Sequence, residues 1–171
     1  MKLKHVLALT IVCLAQAVGA YQPLFAEPYA NAIDAIEKND FPLALKILNP
    51  LAGKGDEKAQ TLLGQMYMNG WGVPQNFKKA TEWYRLSAAK GYPLAQSYLA
   101  DAYRAGRGIT QDNLRAYMWY NILAATELRD GIREETARIR DWIAKDLTTA
   151  QIEQAQSMAE KCFASKFKDC D

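Results

Sequence analysis

Histidine is nearly absent from this chain of 171 residues, its one copy being His5. Beyond that position there is no imidazole to serve a Ser-His-Asp triad, a general base or a zinc site. Cysteine is almost as scarce: Cys13 stands near the start, and the next are Cys162 and Cys170 at the far end. Excess charge is missing too, since 21 lysines and arginines face 19 aspartates and glutamates, for a net charge of +2. Nucleic acid or an anionic lipid surface calls for a basic field that this balance does not supply.

The opening of the chain differs from the rest. Lys2 and Lys4 precede an apolar run from Val6 to Ala15, and the small residues Ala17-Val18-Gly19-Ala20 follow. That order is the charged, apolar and cleavage regions of a Sec-type secretory signal. The run is shorter than the roughly 20 residues that span a bilayer; an uncleaved anchor or a buried helix is the alternative. Val12 stands before Cys13 where a lipoprotein site wants a small residue. Cleavage is expected after Ala20, with Ala17 the second choice, leaving a periplasmic or secreted chain without a membrane span. About 150 residues then remain, enough for one domain with a real core. In an oxidising compartment the pair Cys162 and Cys170 reads as a disulfide, with two reduced thiols as the alternative.

What is present in quantity is repetition. Residues 59–91 and 95–127 match at an offset of 36: Ala59 with Ala95, Leu63 with Leu99, Tyr67 with Tyr103, Gly70 and Gly72 with Gly106 and Gly108, Trp83-Tyr84 with Trp119-Tyr120. A fixed period of this length means stacked supersecondary units, each unable to bury its apolar face alone. Within the first copy Ala59, Leu63, Met66 and Tyr67 make one helical stripe, so a helix A is expected over Glu57–Asn69. Gly70-Trp71-Gly72-Val73-Pro74 breaks it. Asn76 then reads as an N-cap, with Asp40 and Asp112 at the same register, and a helix B follows from Phe77 to about Lys90. Repeated aromatics at helical spacing read as core; a stacking platform for bases or sugars is the alternative.

Half a copy precedes the full ones, with residues 28–38 as its degenerate helix A, as terminal repeats usually are. After Gly131 the side-chain period fails, yet Ile132, Thr136, Ile139 and Ile143 make a further stripe, with Trp142 beside it. Thr148 to Gln151 reads as a capping box before the stripe Ile152, Ala155, Ala159, Cys162 and Phe163. The expected organisation is a signal at 1–20, an extension at 21–27, a degenerate helix pair at 28–55, repeats at 56–91 and 92–127, and a helical cap at 128–171.

The strings Ala59-x3-Leu63-Gly64-x2-Tyr67-x2-Gly70-x-Gly72-Val73 and Lys79-Ala80-x2-Trp83-Tyr84-x3-Ala88-Ala89-x-Gly91, with their second copy, resemble the Sel1-like repeat family, a relative of the tetratricopeptide repeat. In the second copy Ala100 replaces Gly64, Ile109 replaces Val73 and Thr110 replaces Pro74. The resemblance implies an all-α, right-handed α-solenoid of antiparallel helix pairs, a role in assembling protein complexes, and in bacteria frequently an exported envelope protein. It carries no shared catalytic residues. Some cysteine-rich relatives have been credited with binding or hydrolysing penicillins, but here the repeats hold no cysteine, so a cell-wall or β-lactam hydrolase is the rival reading.

Chemistry of its own is hard to find. Two Ser-x-x-Lys strings, Ser87 to Lys90 and Ser165 to Lys168, lack the companion strings of β-lactam enzymes, and Ser87 belongs to a buried stripe. Gly70-x-Gly72 follows a helix where a phosphate loop needs a preceding strand. No catalytic residue, cofactor or metal is therefore expected, and the expected partner is a protein or peptide. With the A-helix stripe turned inward, Thr61, Gln65 and Met68 fall on the opposite side, and the offset carries them to Ser97, Asp101 and Arg104. These six are the expected lining of a partner groove; a solvated face without a role is the alternative. Trp71 and Arg107, between the loop glycines, are the loop candidates, because aromatic and arginine side chains dominate interface hot spots.

Overall fold

The structure is a computed structural model that describes residues 28–126 and 130–170. The signal and extension expected at 1–27 lie outside the described residues, with His5 and Cys13.

Among the described residues eight α-helices follow one another: α1 Pro28–Glu37, α2 Phe41–Gly53, α3 Glu57–Asn69, α4 Phe77–Ala88, α5 Pro93–Ala105, α6 Asn113–Ala125, α7 Asp130–Ile143 and α8 Thr149–Ala164, with a 3-10 turn at Ala144–Asp146. No strand occurs among the described residues. The helices form an α-solenoid in which α1, α3, α5 and α7 are the A helices and α2, α4, α6 and α8 the B helices.

Local chemistry sets each helix start. The side chains of Asp40, Asn76 and Asp112 accept from the backbone N–H three residues on, at 3.1, 2.9 and 2.9 Å, so α2, α4 and α6 begin alike. Thr148 caps α8 in the same way and with Gln151 completes the capping box. These four caps stand 36 residues apart. The spacing of the helix pairs thus runs on through the last pair although its side-chain motif lapses.

The A–B loops are copies too. Gly70 (φ 73°) and Gly106 (φ 65°) end α3 and α5 in the left-handed conformation, which costs an L side chain energy and glycine little. Gln75 Nε2 donates to the Met68 carbonyl at 2.8 Å and Gln111 Nε2 to the Arg104 carbonyl at 3.0 Å, tying each loop to the end of its A helix. Each loop also rests on the preceding B helix. Trp71 stacks on Phe41 with ring centroids 6.1 Å apart. Thr81 Oγ1 donates to the Arg107 carbonyl at 2.9 Å, and a Cβ on Gly108 would come within 2.1 Å of the Phe77 carbonyl oxygen.

Packing runs from neighbour to neighbour: α2 touches α1 and α3, α4 touches α3 and α5, and α6 touches α5, α7 and α8. The buried residues form two clusters. The first is built on Ala32, Ala44, Leu48, Ala59, Leu63 and Met66; the second reaches from Ala80 and Tyr84 through Leu99, Trp119 and Leu123 to Cys162.

The last pair departs from expectation. Thr136 and Ile143 of α7, and Ala155, Ala159 and Cys162 of α8, are buried. Ile132, Trp142 and Phe163, expected on the same apolar faces, are 53%, 53% and 55% exposed. Both helices pack chiefly on α6, and these three side chains are left outside that contact. Trp83 is likewise half-buried while its copy Trp119 is 2% exposed.

After α8 the chain turns back. Lys166 (φ 54°) and Phe167 (φ 64°) both take the left-handed conformation, and Ser165 Oγ accepts from the Asp169 N–H at 3.0 Å. The sulfurs of Cys162 and Cys170 stand at disulfide distance, with Cα atoms 4.5 Å apart. Closing so short a loop stabilises the fold by roughly 2.5 kcal/mol in the chain-entropy account.

Candidate functional site

The A helices present the polar face of the stack. Between α3 and α5 lies a cavity of about 270 Å³ lined by Gln65, Met68, Tyr98, Asp101, Arg104 and Arg107, among others. A second, of about 410 Å³, lies between α5 and α7, where Glu135, Arg138, Ile139 and Trp142 join Asp101 and Arg104. Asp101 and Arg104 belong to both, so the two cavities adjoin across this pair, a trough in two parts along three successive A helices.

The 36-residue offset brings this about, because it places Gln65 beside Asp101 and Met68 beside Arg104 in adjacent rows. Gln65 Nε2 donates to the Tyr98 hydroxyl. The Tyr98 ring leans on Tyr84 at a centroid distance of 5.0 Å, which makes a firm floor. Arg104 donates to Asp101 Oδ1 from Nε at 3.2 Å and from Nη2 at 2.9 Å. Its guanidinium also stands over the Trp142 ring, 6.0 Å from the centroid. The cation–π contact and the ion pair together hold one arginine between two walls of the trough.

Electrostatics here favour recognition over proton transfer. The hydrogen bonds that Arg104 donates to Asp101 raise its pKa above the ordinary value. Burial, and then the Asp101 charge, push the Tyr120 hydroxyl upward; burial does the same to Tyr84. All three groups are thereby held in their neutral-pH protonation state, and a general acid or base working near pH 7 needs the opposite. Among the described residues no group of three histidine, cysteine or acidic side chains is placed to hold a metal ion.

Of the six residues expected to line the groove, Gln65, Met68, Asp101 and Arg104 lie in the trough, and the loop candidate Arg107 stands at its rim. Ser97 is half-buried outside it and donates to the Leu94 carbonyl at 2.9 Å. Thr61 is a correction: it is 1% exposed and cannot line a groove. Its hydroxyl lies 2.8 Å from the Glu57 carbonyl oxygen and 2.9 Å from Ser87 Oγ, at the contact of α3 with α4. The apolar stripe of α3 accounts for its packing on α2 alone, whereas an inner A helix also packs on the B helix that follows. Trp71 is half-buried, its ring laid on Phe41 of the preceding pair. Tyr98 and Trp142 are trough residues that sequence reasoning did not single out.

The Ser-x-x-Lys serines serve the backbone. Ser87 is fully buried and its Oγ donates to the Glu57 carbonyl at 2.8 Å, while Lys90 Nζ donates to the Gly55 carbonyl. Ser165 Oγ donates to the Cys162 carbonyl at 2.8 Å.

The Sel1 repeat family model matches residues 57–92 and 93–125. Among solved structures, the chain is similar to a protective antigen of uropathogenic Escherichia coli strains displaying an SLR fold. The match has 24% identity and a TM-score of 0.72, over 82% of this chain and 30% of that one. The chain thus spans under a third of that protein's length. It is also similar to a Sel1 repeat protein from Oxalobacter formigenes, at 26% identity and a TM-score of 0.56, over 65% of this chain and 86% of that one. No curated protein matches.

Proposed function

Because the chain is a Sel1-like repeat protein, with two Sel1 repeats at residues 57–92 and 93–125, we propose that it is an adaptor of the bacterial envelope that holds a protein or peptide in the trough between its A helices. Repeat stacks of this kind offer extended concave surfaces suited to another chain. The observation that supports the reading is the shared wall: Asp101 and Arg104 border both cavities, an arrangement that suits one extended segment crossing α3, α5 and α7. Polar groups of Gln65, Tyr98 and Arg107 meet its backbone, and the exposed Trp142 ring meets an apolar side chain.

The envelope location rests on the opening Lys2 to Ala20, with its order of a secretory signal, and on the cysteine pair at disulfide distance, which an oxidising compartment preserves. No helix among the described residues is long and apolar enough to cross a membrane.

Crosslinking of the periplasmic protein followed by mass spectrometry tests both parts. The expected result is one stoichiometric protein partner crosslinked to α3, α5 or α7, on a chain that begins at Tyr21 and has no alkylatable thiol before reduction. Crosslinks confined to the B helices would move the site, and a retained N-terminus would remove the export reading.

A further inference from the structure

The last six residues of the described tail reach further than a local clamp on their own helix. Phe167 lies against Gly91 in the turn between α4 and α5: a Cβ on that glycine would come within 2.8 Å of the Phe167 ring. Beside this contact a cleft of about 330 Å³ is walled by Arg85 and Leu86 of α4, by Ala89 at its end, by Trp119 of α6, and by Phe167 and Cys170 of the tail. The tail therefore crosses from the end of the last helix to the end of the first full repeat. It does so through two consecutive non-glycine residues at positive φ, Lys166 and Phe167, a conformation that persists only where the surroundings impose it. The Cys162–Cys170 pair imposes it at one end and the Phe167 contact at the other.

We propose that residues 165–170 are a disulfide-held strap, and that the oxidation state of Cys162 and Cys170 decides whether the last helix is braced on the α4–α5 turn. The chemistry is asymmetric. Cys162 is fully buried, whereas Cys170 is partly exposed beside the cleft. An attacking thiolate from a dithiol reductant meets the Cys170 sulfur, forms a mixed disulfide there and expels Cys162, which takes up a proton. The second thiol of the reductant then attacks that mixed disulfide, closes the reductant into a cyclic disulfide and releases Cys170, which takes up the other proton. Two electrons and two protons pass to the protein, and the reductant loses the same. Once the ring is open, the turn keeps its hydrogen bonds to Ser165 Oγ and the Cys162 carbonyl and the Phe167 contact but loses its covalent tie, and the strap loosens on the cleft.

Amide hydrogen exchange on the full chain tests this, because residues 85–92 are remote in sequence from the cysteines. In Cys170→Ser, and in wild-type protein reduced with dithiothreitol, amides of 85–92 should exchange several-fold faster while those of α2 and α3 stay at their wild-type rates. Phe167→Ala, with its disulfide intact, should accelerate the same residues. Wild-type protection of 85–92 in either variant, or faster exchange restricted to 160–170, would overturn the proposal.

Discussion

Gly64 of α3 lies against the ring of Tyr84 in α4: a Cβ at position 64 would stand 2.4 Å from the ring. The ring cannot retreat, since Tyr84 is 1% exposed and leans on Tyr98 on its other side. Gly64→Ala should therefore destabilise the protein by roughly 1–3 kcal/mol, although alanine is the better helix former. The reverse exchange in the second repeat, Ala100→Gly, should cost only about 1 kcal/mol. Thermal melts of the two variants check this, and equal losses would refute the steric account.

Ser87 invites a similar contrast between structure and chemistry. Its hydroxyl is fully buried and donates to the Glu57 carbonyl, which Thr61 also reaches, so Ser87→Ala should cost about 1 kcal/mol through the lost hydrogen bond. Incubated with a β-lactam reporter, wild type and variant should alike show no turnover. Turnover that Ser87→Ala abolished would restore the hydrolase reading.

Alkali should unfold the protein cooperatively. Burial foremost raises the Tyr29 pKa from 10.0 to about 12, and raises Tyr84 and Tyr120 as well. Folded-state values above the unfolded one mean that the fold retains protons the unfolded chain has lost. This contribution is complete below pH 10 and disappears as pH rises through the folded values, falling by about 1.4 kcal/mol per pH unit for the buried Tyr84 and by less for the solvent-screened Tyr29. Absorbance at 295 nm should show the buried tyrosines ionising only together with the loss of helical circular dichroism. Their smooth ionisation in a fully helical protein would contradict the burial assigned to them.

The trough makes a separable prediction. Gln65, Asp101 and Arg104 are all part-exposed, and the Asp101–Arg104 pair, with side chains 48% and 38% exposed, contributes about 1 kcal/mol at most. Alanine at all three should leave the melting temperature nearly unchanged while abolishing capture of the partner in the pull-down. Full capture by the triple variant, with loss in Trp71→Ala, would shift the binding site to the loop edge.

How much of this was legible depended on which neighbours a residue has. The helix starts at Asp40, Asn76, Asp112 and Thr148 could be read from single side chains, because a cap is satisfied within three residues. Gln65 and Asp101, and Met68 and Arg104, could be paired from the period alone. Thr61 could not be placed: a single stripe describes one packing partner and an inner helix has two. The exposure of Ile132 and Phe163 depends on how α7 and α8 sit on α6, which no local pattern encodes. Cys162 and Cys170 indicated a closed loop, but nothing periodic connects Phe167 to Gly91, some 76 residues away.

Each A–B loop overlaps the unit before it, as roof tiles do: Trp71 and Gly72 lie on Phe41, and Arg107 and Gly108 on the start of α4. The stack therefore has a direction. Peeling helices from the C-terminal side lifts tiles that cover others and leaves the remaining loops seated, whereas loss of the first pair strips the seat from beneath the next loop. Fraying from the front should propagate, and fraying from the rear should stop after one unit.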